Sequence, residues 1–202
     1  MPYRVAERSS KAFGELLKKT WGFVCDCTAC TAESVAPAAQ RKRREKLLRE
    51  VSSFLSTHKF TQQYEPKWAT VSRANHLYHD LDDAYDGNHF ENLPRIGLVD
   101  LGIWLCQAYS TASTHQKSLE AAKKVLHHSG YHVKVEEETL AVSHTCASLS
   151  VHVVDAAVYA ARAHSFMGQT ELGKQYNYFA RDLYSTLFGE MRGFLERYGN
   201  PS

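Results

Sequence analysis

The sequence predicts a mainly α-helical chain: irregular helix hairpins stacked side by side, with a small cysteine-rich module at the N-terminal end. Three observations predict it. Apolar residues recur at three- and four-residue spacing through most of the 202 positions. The runs are punctuated by Gly and Pro, in "DGNHFENLP", at Gly130 and in "FMGQTE". Finally, Cys25, Cys27 and Cys30 crowd into the six residues "CDCTAC".

Taken in order, residues 6–20 read as a helix, with Val5, Phe13, Leu16 and Leu17 on an apolar side and Glu7, Lys11, Glu15 and Lys18 opposite. The cysteines follow, and "TAESVAPAAQ" reads as a linker containing Pro37. Residues 38–57 form the next helix, marked by Leu47, Leu48, Val51, Phe54 and Leu55. Residues 65–85 place Trp68, Val71, Asn75, Tyr78, Leu81 and Tyr85 on one stripe, with Pro66 suited to a first turn. Residues 95–111 carry Leu98, Leu101, Trp104 and Leu105. Residues 115–128 carry Leu119, Ala122, Val125 and Leu126. "YHVKVEEETLAVSH" is ambiguous: Val133 and Val135 alternate with charge, but from Glu136 onward it reads as helix. Residues 148–166 are alanine-rich. The apolar run from Leu172 through Tyr176, Leu183 and Phe194 to Tyr198 reads as one helix of roughly eight turns. Two units are expected, residues 1–36 and 37–202.

The last two helices can be compared with the tetratricopeptide hairpin. With Gly168 as the turn, small residues fall at Ala161, Gly173 and Ala180, where that hairpin packs backbone against backbone. Its large aromatic positions are not kept, and the hairpin at 95–128 fits only in outline. The expectation is a short, irregular tetratricopeptide-like array, whose concave face is where partner segments dock.

Composition narrows the function. Hydrophobic content of 44% with 23% charged residues is that of a folded chain. A formal net charge of +2 makes no electrostatic case for nucleic acid or an anionic membrane. No apolar run approaches a membrane span, and "MPYRVAERSSKAFGELL" has no secretory h-region. The expected location is the cytoplasm or nucleus. There, clustered cysteines read as metal ligands rather than disulfides.

A Cys-x-Cys-x2-Cys run wraps three thiolates around one zinc ion, whereas a structural site takes four ligands. Cys106 and Cys146, in what read as apolar helical surroundings, are poor candidates for the fourth, and His58 has no spacing argument behind it. Three incidental cysteines in a loop is the plain alternative.

The stretch "WGFVCDCTAC", after a helix containing Arg8–Ser9–Ser10 and Leu17, resembles the post-SET segment of SET-domain proteins. The likeness is to fungal members related to the SET-and-MYND lysine methyltransferases. "NLPRIGLVDLGIWLCQAY", "SLEAAKKVLHHSGYHV" and the closing "YSTLFGEMRGFLERYG" resemble the helical region of the same family. The resemblance implies that Cys25, Cys27 and Cys30 bind zinc together with a fourth cysteine from the SET core. It also implies that Phe23 closes over the S-adenosylmethionine and lysine channel.

The family's core motifs are absent. No Gly-x-Gly occurs, and the pairs Asn75–His76 and Asn88–His89 are followed two residues on by Tyr78 and Glu91 rather than cysteine. The expectation is therefore a C-terminal portion of an S-adenosylmethionine-dependent protein-lysine methyltransferase, inactive alone. It would need a SET core to bind that cofactor, and it would offer its helical region to a protein or peptide. The alternative is a stand-alone helical scaffold that retains vestigial zinc-binding cysteines.

Two further stretches carry competing readings. "RKRREK" at 41–46 is either an import or phosphate patch or the solvated face of a helix. "HDLDDAYDGNH" is rich in Asp and His but lacks the spacing of a calcium loop, and reads as a helix end running into a polar turn.

Overall fold

A computed structural model describes residues 18–20, 22, 24, 26–60, 66–85, 90, 93–190 and 192–199. Most of the expected first helix lies outside these, as do Trp21, Phe23, Cys25 and Asn88–His89.

The helical periodicities become α1 Thr28–Val35, α2 Ala38–Thr57, α3 Trp68–Asp83, α4 Val99–Thr111 and α5 His115–His128. A 3-10 turn, Ile96–Leu98, leads into α4. After α5 come β1 Tyr131–Glu136 and β2 Thr139–His144, then α6 Val151–Phe166, α7 Thr170–Phe188 and α8 Arg192–Tyr198. The mainly helical class is as the sequence predicts. No helix among the described residues is long and apolar enough to cross a membrane.

Two apolar clusters hold the array. In the first, Leu47, Val51 and Phe54 of α2 meet Val71, Leu77 and Leu81 of α3 and Leu101, Trp104 and Leu105 of α4. In the second, Leu119, Val125 and Leu126 of α5 meet Val153, Val154 and Ala157 of α6, Tyr176 and Leu183 of α7, and Phe194 of α8. Helix α4 serves both, because its Val99 and Cys106 face the second cluster. A helix apolar on most sides belongs in the middle of an array. Each fully buried Leu or Val contributes about 1.5–3 kcal/mol of transfer free energy, so packing rather than propensity sets these helices.

The small residues read from sequence mark a close approach. A Cβ on Gly173 would lie 3.1 Å from the Ala161 carbonyl oxygen and 2.5 Å from Ser165 Oγ. Ala161 and Ala180 are both buried. Without a side chain at 173, α7 lies directly on α6.

Three expectations are corrected. The linker at 31–40 is mostly helix: α1 runs to Val35, and only Ala36 and Pro37 separate it from α2. A helix-forming "TACTAES" decides the first half, and Pro37 merely starts the next helix.

The ambiguous stretch is a β-hairpin, not a helix from Glu136. Val133 pairs with Val142 and Val135 with Leu140, around a two-residue turn in which Glu137 and Glu138 have φ 48° and 66°. β-Branched residues on facing strands outweigh the helix propensity of the glutamates. Gln175 of α7 holds the hairpin: Leu140 N–H donates to its Oε1 at 2.7 Å, and its Nε2 donates to the Glu138 carbonyl at 2.9 Å.

The closing helix is two helices. Gly189, at φ 76°, caps α7, and its N–H donates to the Ser185 carbonyl at 2.8 Å. The left-handed residue ends the helix although the apolar period continues beyond it.

Candidate cysteine site and its anchorage

Cys27 is the residue just before α1, with extended backbone (φ −60°, ψ 158°), and its carbonyl accepts the Thr31 N–H at 2.9 Å. Cys30 lies in the first turn. Cys27 is exposed and Cys30 half-buried. Phe23 and Cys25, the remaining expected site residues, lie outside the described residues.

The C-terminal half of α1, beyond the turn that carries these thiols, is fixed to the helical body. Helix α1 buries Ala32 and the following Ala36 against Phe90, with Tyr85 and Leu93 alongside. Arg41 Nη1 donates to the carbonyls of Ser34 at 2.7 Å and Ala36 at 3.1 Å, satisfying the open end of α1. Arg44 goes further: only 2% exposed, it donates through Nη1 to the Ala84 carbonyl at 2.7 Å and through Nη2 to Glu33 Oε2 at 2.8 Å. Its guanidinium lies 4.6 Å from the Phe90 ring centre and 5.1 Å from that of Tyr85. Burial pushes the Tyr85 hydroxyl up to about 12, against the opposing pull of Arg44. One arginine thus joins α1, α2 and the end of α3.

The basic run therefore divides. Lys42, Arg43 and Lys46 are exposed, as a solvated face would have them, but Arg41 and Arg44 are structural. The signal was present: position 44 continues the stripe Leu47, Val51 and Phe54 backwards at helical spacing, so it points into the body.

The other possible ligands lie elsewhere in the fold. Cys106 is fully buried, its thiol pushed well up by burial. Cys146 is not in an apolar helix as expected. It is exposed on the turn leaving β2, at φ 50°. The His58 ring packs 4.6 Å from Phe54, and its carbonyl accepts Trp104 Nε1 at 2.7 Å. Asp82 pairs with Arg95 and lies 3.8 Å from His128 Nε2, so it braces a helix end. Among the described residues, no group of three or more His, Cys, Asp or Glu side chains is gathered to hold a metal. Cys27 and Cys30 have the chemistry of half a thiolate zinc site. Those two sulfurs alone do not make one.

A second polar cluster ties α8 to α6. His152 has Nε2 3.3 Å from Asp100 Oδ1 and Nδ1 3.6 Å from Asp155 Oδ2. The latter contact is too long for a hydrogen bond and acts through charge. Tyr198 Oη donates to Asp155 Oδ1 at 2.6 Å, and Arg197 lies 3.6 Å from the same oxygen. Asp155 raises the His152 pKa, burial opposes it, and Asp100 raises it further. Within this cluster there is no Ser, Thr or Cys nucleophile, and its visible effect is to latch α8.

No family model matches the chain, and no curated protein matches it at a significant level.

Proposed function

We propose that the chain is the C-terminal portion of a SET-type protein-lysine methyltransferase: a post-SET cysteine segment built onto a tetratricopeptide-like helical body, without the methyl-transfer centre. The observation that carries this reading is the anchorage of α1. Two arginines and a small apolar cluster hold the far end of the helix whose first turn bears Cys27 and Cys30, which supports a fixed base for those thiols. A lid over a cofactor channel needs such a fixed base, because positioning dominates this chemistry. Lysine methylation requires a neutral amine held in line with the sulfonium methyl group, and the missing core would supply that geometry.

In this reading Cys25, Cys27 and Cys30 supply three zinc ligands, and a core cysteine supplies the fourth. Phe23 faces the S-adenosylmethionine side. The purified chain should bind zinc below one equivalent and release it to a chelator, since affinity depends on ligand count. Joining a SET core from the family should raise zinc to one equivalent and restore methyl transfer. Tight one-to-one zinc in the chain alone would overturn the missing-ligand reading, and methyl transfer by the chain alone would overturn the missing-core reading.

The groove described next favours, as a second reading, a protein-interaction scaffold that keeps the cysteines as a remnant. Unaltered zinc binding in a Cys27→Ser, Cys30→Ser variant would select it.

A further inference from the structure

A groove of about 770 Å³ runs along the seam of α6 and α7, closed at one end by α8 and at the other by the turn between α4 and α5. Its floor is apolar or small: Val158, Ala161, Gly173 and Phe194. Three cations line it, Arg162 from α6 and Lys174 and Arg181 from α7; no Asp or Glu is in the lining, although Glu171 beside it pairs with Lys174 at 3.4 Å and Arg162 donates to the Tyr198 carbonyl at 3.1 Å. In a chain whose acidic and basic residues nearly balance, 22 against 24, this segregation is local to the groove.

Two further features mark the groove as unfinished. Asn177 lines its centre at only 7% exposure, and its Oδ1 has no hydrogen-bond partner among the described residues. The Arg181 Nε is likewise buried without a partner, while its guanidinium sits 5.8 Å from the Phe194 ring centre. Both atoms are sealed from solvent, so a turn of either side chain toward the groove would let an occupant supply the missing partner. At the rim, Phe166 is 68% exposed and stacks on His115 at 4.5 Å between centres, and Tyr178 is 62% exposed. Large aromatics left in water beside a concave surface are typical of recognition sites.

We propose that this groove binds an acidic peptide segment of a partner protein. Its Asp or Glu side chains would pair with Arg162, Lys174 and Arg181, and an aromatic or aliphatic side chain would rest between Phe166 and Tyr178. The charge argues for an acidic ligand, and Asn177 argues for a peptide. Once that side chain turns into the groove, a main-chain N–H would satisfy its Oδ1, whereas a fully ionised phosphate has no N–H or O–H to donate. The groove is also open along the exposed side chains of Arg162, Ser165, Thr170 and Lys174, which suits an extended chain better than an enclosed small molecule. The site is remote in sequence from the cysteines and does not depend on their role.

The test uses the whole chain and a fluorescein-labelled peptide of about eight residues, rich in Asp and Glu with one Phe, long enough to span a groove at 3.3 Å per residue. Fluorescence anisotropy should show saturable binding that weakens as salt is raised. Lys174 is exposed, so Lys174→Glu leaves the fold intact, as thermal denaturation will verify, and should weaken binding at least about fivefold. Asn177→Ala should weaken it to a similar degree but leave the salt dependence unchanged. Four results would overturn the proposal: no binding of the acidic peptide, equal binding of the Lys-substituted peptide, equal binding of single-stranded DNA, or indifference to Lys174→Glu. Sedimentation gives a fifth. Self-association abolished by Lys174→Glu would make the occupant the exposed Glu136–Glu138 turn of a second copy.

Discussion

Replacing Arg44 by Met tests whether α1 is anchored as described. Met keeps most of the stem volume but removes the hydrogen bonds to Ala84 and Glu33 and the contact with Phe90 and Tyr85. A carbonyl and a carboxylate then lose a buried cationic donor. Breaking a fully buried pair costs about 3–5 kcal/mol. Glu33 is 18% exposed, so water recovers part of this, and about 2–4 kcal/mol is expected. For a chain of this size a loss near 3 kcal/mol lowers Tm by roughly 6–12 °C. Differential scanning calorimetry measures it, and amide exchange should show α1 opening before α5 or α6. In a cycle with Glu33→Gln, the two substitutions should be non-additive by about 1–2 kcal/mol. A fall in Tm under about 2 °C, or strict additivity with Glu33→Gln, would refute the account of the buried pair.

The remaining predictions concern helix contact and pH. Gly173→Ala should destabilise the chain by about 1–3 kcal/mol in urea, since the new methyl group meets the Ala161 carbonyl. An unchanged midpoint would mean that α6 and α7 are not in backbone contact. His128, buried at the end of α5, has its pKa pushed down to about 4, chiefly by burial and only partly offset by Asp82, with His127, Arg95 and Lys124 reinforcing the fall. Tyr78 also faces it, with ring centres 5.9 Å apart. The folded state therefore binds fewer protons than the unfolded one between about pH 6.5 and 4, and stability is lost as pH falls through that window, by about 2–3 kcal/mol. His152 acts in the opposite sense: its raised pKa contributes stability that is present at low pH and lost as pH rises through the folded value. Urea midpoints from pH 7 to 4.5 should thus fall less steeply in His128→Gln and more steeply in His152→Gln. The reverse order would refute both assignments.

Where packing follows a helical period, the sequence was sufficient. The limits of α2 and α5 are those expected, and the small residues Ala161 and Gly173 mark a real helix contact. Failures came where one residue or one distant partner overrides the period. Gly189 ends α7 inside an unbroken apolar stripe, because backbone conformation is invisible to a hydrophobic count. The hairpin depends on Gln175, some 35 residues away from Leu140, and no local window contains that bond. The cysteine turn was legible as a motif but its support was not: Arg44 appears in sequence as one of several charges, and only its place on the α2 stripe distinguishes it. The groove was harder still. Arg162, Lys174, Asn177 and Arg181 carry no motif, and their convergence is a product of two helices crossing at Gly173.

That geometry separates the two proposed activities. Helix α1, whose first turn bears the cysteines, rests through its C-terminal half on α2, Phe90 and the end of α3. The groove rests on α6, α7 and α8, around the second. Helix α4 serves both clusters through buried apolar side chains, and it adds polar contacts on each side, Trp104 Nε1 to the His58 carbonyl and Asp100 to His152. Coupling between distant sites requires an element with two competing arrangements that both sites bias. The described contacts of α4 form one arrangement, so the groove and the cysteine turn are proposed as independent sites. On the two proposals together, the helical body would carry the cysteine turn on α1 and a basic groove on α6 and α7, so a bound protein would be delivered to the molecule that bears the cysteines rather than switching them on or off.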